Sequence, residues 1–240
     1  MGDPLEPLLE LAGVRDSADR ARTAVDTLLG NRVLRRRSAD VSAESSLRGA
    51  WASASLAGVD LSLDDVRRGV GLDNPLLQGA LRAQSAIGTL ADTWTRAPRQ
   101  ALARLHALAA ADLLPADELG RPTGPTARLD TLVEVLGVTS APAVVVAGVV
   151  HGELLSLDLF APVSGIVGRV ATRLTLVERG LDPKSLVVVE AGHRELRTEY
   201  ETALFAYRNG DIAPWLVHSA DAVAYGAREA LAICEALVRG

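Results

Sequence analysis

Few side chains in this chain combine reactive chemistry with useful spacing. The histidines are His106, His151, His193 and His218, and the cysteine is Cys234. No two histidines stand at H-x-x-x-H spacing, so no metal site is expected. His151 falls mid-helix in an apolar stretch and reads as a core or groove histidine rather than a base. Cys234, beside Ile233 and Ala232, reads as packing. A single cysteine closes no intrachain disulfide, which fits a reducing cytosol. Ser164 has no His and Asp partners at recognisable spacing and reads as a helix N-cap, not a nucleophile. Asp158 is a candidate base or Mg²⁺ ligand, but an unperturbed Asp is a weak base at neutral pH, so it reads as an exposed helix-terminal residue. Gly165-Ile166-Val167-Gly168 lacks G-x-G-x-x-G, and no strand followed by an acid frames it. A nicotinamide-dependent oxidoreductase is therefore unsupported.

The elements that must position these residues read as helices. The chain has 240 residues, 48% of them hydrophobic and only 3% aromatic, so its core is built from Ala, Val and Leu, which suit close helix packing. Net charge is −5, which argues against a nucleic-acid partner. The Arg35-Arg36-Arg37 run reads as a solvated helix end. No signal-peptide pattern opens the chain, and the uncharged stretch from Ala141 to Val150 is about half the ~20 residues a membrane span needs. The expectation is a soluble cytoplasmic protein. Apolar spacing predicts an entry helix within 1–40, broken at Gly30-Asn31, then helices over 45–56, 75–90, 98–114, 129–136, 143–157, 165–179 and 193–207, and a last one reaching Val238. A short helix starts at the capping box Ser62-Leu63-Asp64-Asp65. The Pro/Gly-rich stretch 115–125 is the best internal boundary. The fold class is all-α, a bundle of nine or ten helices with little or no strand.

The segment from His151 to Trp215 resembles the core of Fic/Fido domains. In that family a helix leads into a loop H-P-F-x-D/E-G-N-G-R-x-x-R, followed by a long helix, an "RxxYYxAL…GD..P" helix and a final amphipathic helix. Glu195 to Leu204 and Asn209-Gly210-Asp211 match in order and spacing. Upstream, Ser53-Ala54-Ser55-Leu56-Ala57-Gly58 has the frame of the family's inhibitory segment, with Ala57 at the Glu position. The resemblance implies a Fic/Fido-like bundle with an N-terminal region 1–110 and a degenerate core 111–240. Two registers fit the loop. Counting back from Arg169 puts Ala161 at the His position. The preferred register sets Asp158-Leu159-Phe160 opposite H-P-F with about three inserted residues. Neither has a His in the loop. The second Arg position is Thr172, with Arg173 one step on.

In the family, the His deprotonates a target hydroxyl that attacks the α-phosphate of ATP, an acid holds Mg²⁺, and the loop and Arg residues bind phosphates. The resemblance therefore implies no catalytic residue here, with Asp158 the remnant position. Gly165, Gly168, Arg169 and Arg173 are the implied phosphate-binding set, and no metal ligand is implied. It points to a pseudoenzyme that binds a protein partner, or ATP or another nucleotide with Mg²⁺, and acts as a regulatory module. The alternative is an active nucleotidyl or phosphate-group transferase using Asp158 or His151 as base. A third reading is a dimerisation module, seen as a homodimer. The target-docking hairpin of active members falls at 114–129, which lacks alternating apolar residues. No nucleic acid and no membrane is expected as a partner.

Overall fold

The computed structural model describes residues 2–239. They form twelve α-helices and a short 3-10 helix, Glu6–Glu10, with no strand among the described residues. The count exceeds the expected nine or ten because two predicted helices, 75–90 and 193–207, are each split in two.

The chain ends pack together. α1 (Val14–Leu29) buries Val14, Ala18, Ala21, Val25 and Leu28 along one face. That face meets α12 (Ala213–Arg239), which is central to the bundle and buries Trp215, His218, Ala222 and Cys234 among others. α2 (Leu34–Leu56) begins eleven residues earlier than the spacing predicts and bends at Arg37, where φ is −124°. α3 (Leu63–Arg67) starts on the capping box: Asp65 N–H donates to Ser62 Oγ at 3.0 Å, and Ser62 N–H donates back to the Asp65 carboxylate at 3.2 Å. α4 (Pro75–Ser85) is capped by Asn74, whose side chain accepts from Leu76 and Leu77 N–H. It breaks at Ala86 before α5 (Ile87–Arg96). α6 (Pro98–Ala110) carries His106 and α7 (Ala127–Val138) follows the 111–126 loop.

α8 (Ala143–Leu157) and α9 (Ser164–Glu178) pack as a pair at the centre. α8 buries residues on every side, including the ambiguous Val144-Val145-Val146 run, which is helical; an all-round apolar helix belongs inside a bundle. The 189–208 interval holds α10 (Val189–Glu195) and α11 (Arg197–Arg208), broken at Leu196 where ψ is 43°. Val187 and Val188 are buried and lie outside any helix or strand, with Val188 at φ −91° and ψ 71° just before α10.

The main hydrophobic core draws on residues from Leu5 to Cys234, and a small second cluster joins Ala54, Val66 and Leu77. Small residues let helices touch backbone to backbone. A Cβ on Gly79 would strike Ala109, one on Gly192 would strike Ala222, and one on Gly226 would lie 2.6 Å from the Val188 carbonyl. No helix among the described residues is long and apolar enough to cross a membrane.

Candidate ligand cleft

The loop between α8 and α9 is fixed from several directions. Asp158 ends α8 in the left-handed conformation, with φ 48°, and is exposed. Leu159 accepts a hydrogen bond from Thr123 N–H at 2.9 Å, which ties the loop to the 111–126 stretch. Phe160 is buried against the His106 ring, with centroids 5.5 Å apart. His106 in turn accepts from Gly120 N–H through Nδ1 at 3.1 Å. One α6 histidine thus braces both loops. Burial pushes its imidazole below the ordinary histidine range. Ser164 is the first residue of α9 and not its N-cap, a correction to the sequence reading. Val163 holds the cap position without a side-chain cap, and Ser164 Oγ turns back to accept from Phe160 N–H at 3.1 Å.

Arg169 projects from the second turn of α9 and is 3% exposed. Its Nε donates to Ser53 Oγ at 2.8 Å, Nη2 to the Ser53 carbonyl at 3.1 Å, and Nη1 to Tyr200 Oη at 3.3 Å. The upstream Ser53–Gly58 segment therefore lies against the arginine of the α8–α9 motif, joined by its first residue. Gly165 stands over the same guanidinium: a Cβ there would be 3.1 Å and 3.2 Å from Nη1 and Nη2.

A cleft of about 500 Å³ opens at this point. Leu56, Leu76, Leu113, Leu155, Ile166 and Leu204 give it apolar walls, and Ala57 and Gly165 also line it. Its polar groups are Arg169, Tyr200 and Asn74; Arg169 is the one charged residue among those lining it. Two of the four expected phosphate-binding residues, Gly165 and Arg169, are brought together here. Gly168 lies behind, where a Cβ would be 3.1 Å from His151 Cδ2, so it permits close passage of α8. Arg173 faces away from the cleft. At 1% exposure it donates from Nε to Ser185 Oγ at 3.0 Å, from Nη2 to the Ser185 carbonyl at 2.6 Å and from Nη1 to Gln84 Oε1 at 2.9 Å, with the Glu190 carboxylate at 3.8 Å.

Sequence reasoning missed a buried aromatic cluster behind the cleft. Tyr200 Oη is 3.3 Å from His151 Nε2, and His193 Nδ1 is 2.9 Å from His218 Nε2. The His151 and His193 rings meet edge-on at 4.8 Å, and the His193 ring lies parallel to Trp215 at 6.3 Å. His151 and His193 are held well below the ordinary histidine value, because burial removes the hydration an imidazolium needs; Arg169 and the neighbouring histidines add repulsion. Burial pushes His218 down to about 4, opposed by the carboxylates of Asp221 and Glu199. Burial also raises the Tyr200 phenol, which keeps it protonated. The available signal was local: Trp215 and His218 are three residues apart and share a face of α12. No group of His, Cys, Asp and Glu among the described residues is arranged to hold a metal ion.

No protein-family model matches the chain, and no curated protein matches it either. Solved structures do. A Fic family protein from Desulfovibrio desulfuricans G20 superposes with a TM-score of 0.74 at 20% identity, covering 90% of this chain and 74% of that one. Fic-1 from C. elegans superposes with a TM-score of 0.74 at 17% identity, covering 96% of this chain and 75% of that one. At these identities the likeness is one of architecture: this all-helical chain has the fold of Fic family proteins.

Proposed function

We propose that this chain is a Fic-fold protein without AMP-transferase chemistry, which works by holding a ligand or partner in the cleft over Arg169. The observation that carries this reading is the cleft's composition: no His, Asp or Glu is among the residues that line it. General-base catalysis needs a group within hydrogen-bond reach of the attacking hydroxyl and ready to take its proton near neutral pH. His151 is the nearest imidazole through Tyr200, but it is fully buried behind that phenol. Asp158 is exposed at the end of α8, outside the lining. The Mg²⁺ that a family nucleotide carries does not fit this cleft, because Mg²⁺ is held through carboxylates and none is present.

The binding set in this reading is Gly165 and Arg169, with Tyr200 and Ser53 positioning the guanidinium. Gly168 and Arg173 serve packing. Incubation of the chain with ATP, Mg²⁺ and a panel of candidate proteins, read by intact mass, is expected to leave every mass unchanged. An AMP adduct on any protein, this chain included, that requires both ATP and Mg²⁺ would overturn the reading and favour a transferase with altered residues.

A further inference from the structure

We infer that α11 is a lid over Arg169, which swings out as a unit about Leu196 and Gly210 and so uncovers the guanidinium. Its use in admitting a ligand rests on the reading of the cleft as a binding site.

Burial is the first argument. Arg169 is 3% exposed and covered by Ser53 of α2, by Gly165 of its own helix and by Tyr200 of α11. These covers are not equally fixed. α9 buries twelve of its fifteen residues, and Ser53 lies in the wholly buried run Ala52 to Ala54. α11 buries only Tyr200, Ala203 and Tyr207 of its twelve. Its other nine are half-buried or exposed, Phe205 at 71%. Little apolar surface therefore opposes its departure, and segments of this kind open locally at less than the global unfolding free energy.

The ends of α11 are the second argument. At Leu196 ψ is 43°, which parts α11 from α10, and no side chain caps α11 there. Gly210 follows the last turn at φ 90°, in the left-handed region that glycine enters freely. A few such residues can absorb the rotation of a rigid segment. The neighbours stay behind: Gly192 of α10 packs on the Ala222 backbone, and α12 buries Trp215 and His218 near its start.

Polar clips hold the closed position. Arginine is a donor only, so Tyr200 Oη accepts from Arg169, and its O–H is left to donate to His151 Nε2 at 3.3 Å. Tyr207 O–H donates to the Glu153 carboxylate at 2.6 Å, and Arg208 Nη2 to the Leu155 carbonyl at 2.8 Å. His151, Glu153 and Leu155 all belong to α8, so the lid is fastened to a single helix. When water replaces these bonds, Tyr200 leaves Arg169 and Leu204 leaves the cleft wall.

Amide hydrogen exchange and arginine labelling with phenylglyoxal, both read by mass spectrometry on the purified full chain, test the lid. Under native conditions the α11 amides are expected to exchange at least about tenfold faster than those of α9. Arg173 is the internal control, since it is as deeply buried but held by Ser185, Gln84 and Glu190, none of them on α11. Arg169 is expected to be labelled at least about tenfold faster than Arg173. Tyr207→Phe removes one clip and leaves Glu153 its Arg128 partner. It is expected to speed α11 exchange and Arg169 labelling by about tenfold, with α9 and Arg173 unchanged. Equal labelling of the two arginines, α11 amides as slow as those of α9, or a Tyr207→Phe effect that is absent or reaches α9 and Arg173 equally would each overturn the lid. No nucleotide enters these measurements, so those outcomes leave the absence of AMP transfer standing. An AMP adduct would overturn the proposed function without bearing on the lid.

Discussion

Arg169 and Arg173 are four residues apart on α9, yet they serve different surroundings. Arg169 lines a cleft, while Arg173 is spent inside the core on Ser185, Gln84 and Glu190. Glu190 is fully buried, and Gln84 Nε2 donates to it. Removing the cation leaves that carboxylate in low dielectric with one amide partner. Arg173→Met is therefore expected to cost about 3–5 kcal/mol in urea unfolding, and the double variant with Glu190→Gln to cost less than the sum of the singles. Strict additivity would show that the two side chains are not coupled. The family resemblance marks Gly165, Gly168, Arg169 and Arg173 as one phosphate-binding set. It does not reveal which arginine is already satisfied. That depends on Ser53 and Gln84, which lie 116 and 89 residues away along the chain.

At the scale of elements, the small-residue composition is used where helices cross. Gly192 in α10 lies on Ala222 of α12 with no room for a methyl, while Gly88 in α5 is exposed with nothing within 4 Å of an added Cβ. Gly192→Ala is expected to destabilise by about 1–3 kcal/mol through overpacking. Gly88→Ala is expected to stabilise by about 0.5–1 kcal/mol, because it removes backbone entropy without a clash. Chemical denaturation of both variants checks the pair; equal signs would mean that the α10–α12 crossing is not tight. Helix type was legible from apolar spacing over most of the chain, though not over the first part of α2, and the Ser62 and Asn74 caps stand where capping residues occur. The breaks at Ala86 and Leu196 were not legible. Neither has a Pro or Gly to mark it, and each follows from how the flanking helices dock: α10 on α12 through Gly192, and α5 on α9 through Ile87, Leu90 and Trp94. Packing overrides local propensity at both places.

Across the whole molecule, α8, α10, α11 and α12 converge on His151, His193, Tyr200 and His218. The three imidazoles are kept neutral in the folded state by burial, so their folded pKa values lie below the ordinary 6.5. Below that value the unfolded chain binds more protons than the folded one, and stability falls as pH falls. For His218 the loss continues to about 4, and for the other two it continues well below the ordinary histidine value. Each group contributes up to about 1.4 kcal/mol per pH unit within its window. Unfolding free energies from about pH 7.5 to about pH 5.5 should therefore decline, and His218→Gln should lessen the slope. A flat profile would mean that the cluster is hydrated. The sequence offers only the Trp215–His218 spacing on α12; the other members of the cluster stand far apart along the chain. The seat of Arg169 on Ser53 also bears on how the molecule assembles. During synthesis α2 emerges long before α9, and the contact closes a loop of more than a hundred residues, which is entropically slow. The cleft is thus a late product of folding, and a ligand that needs it would bind the finished molecule alone and draw late intermediates toward it by mass action.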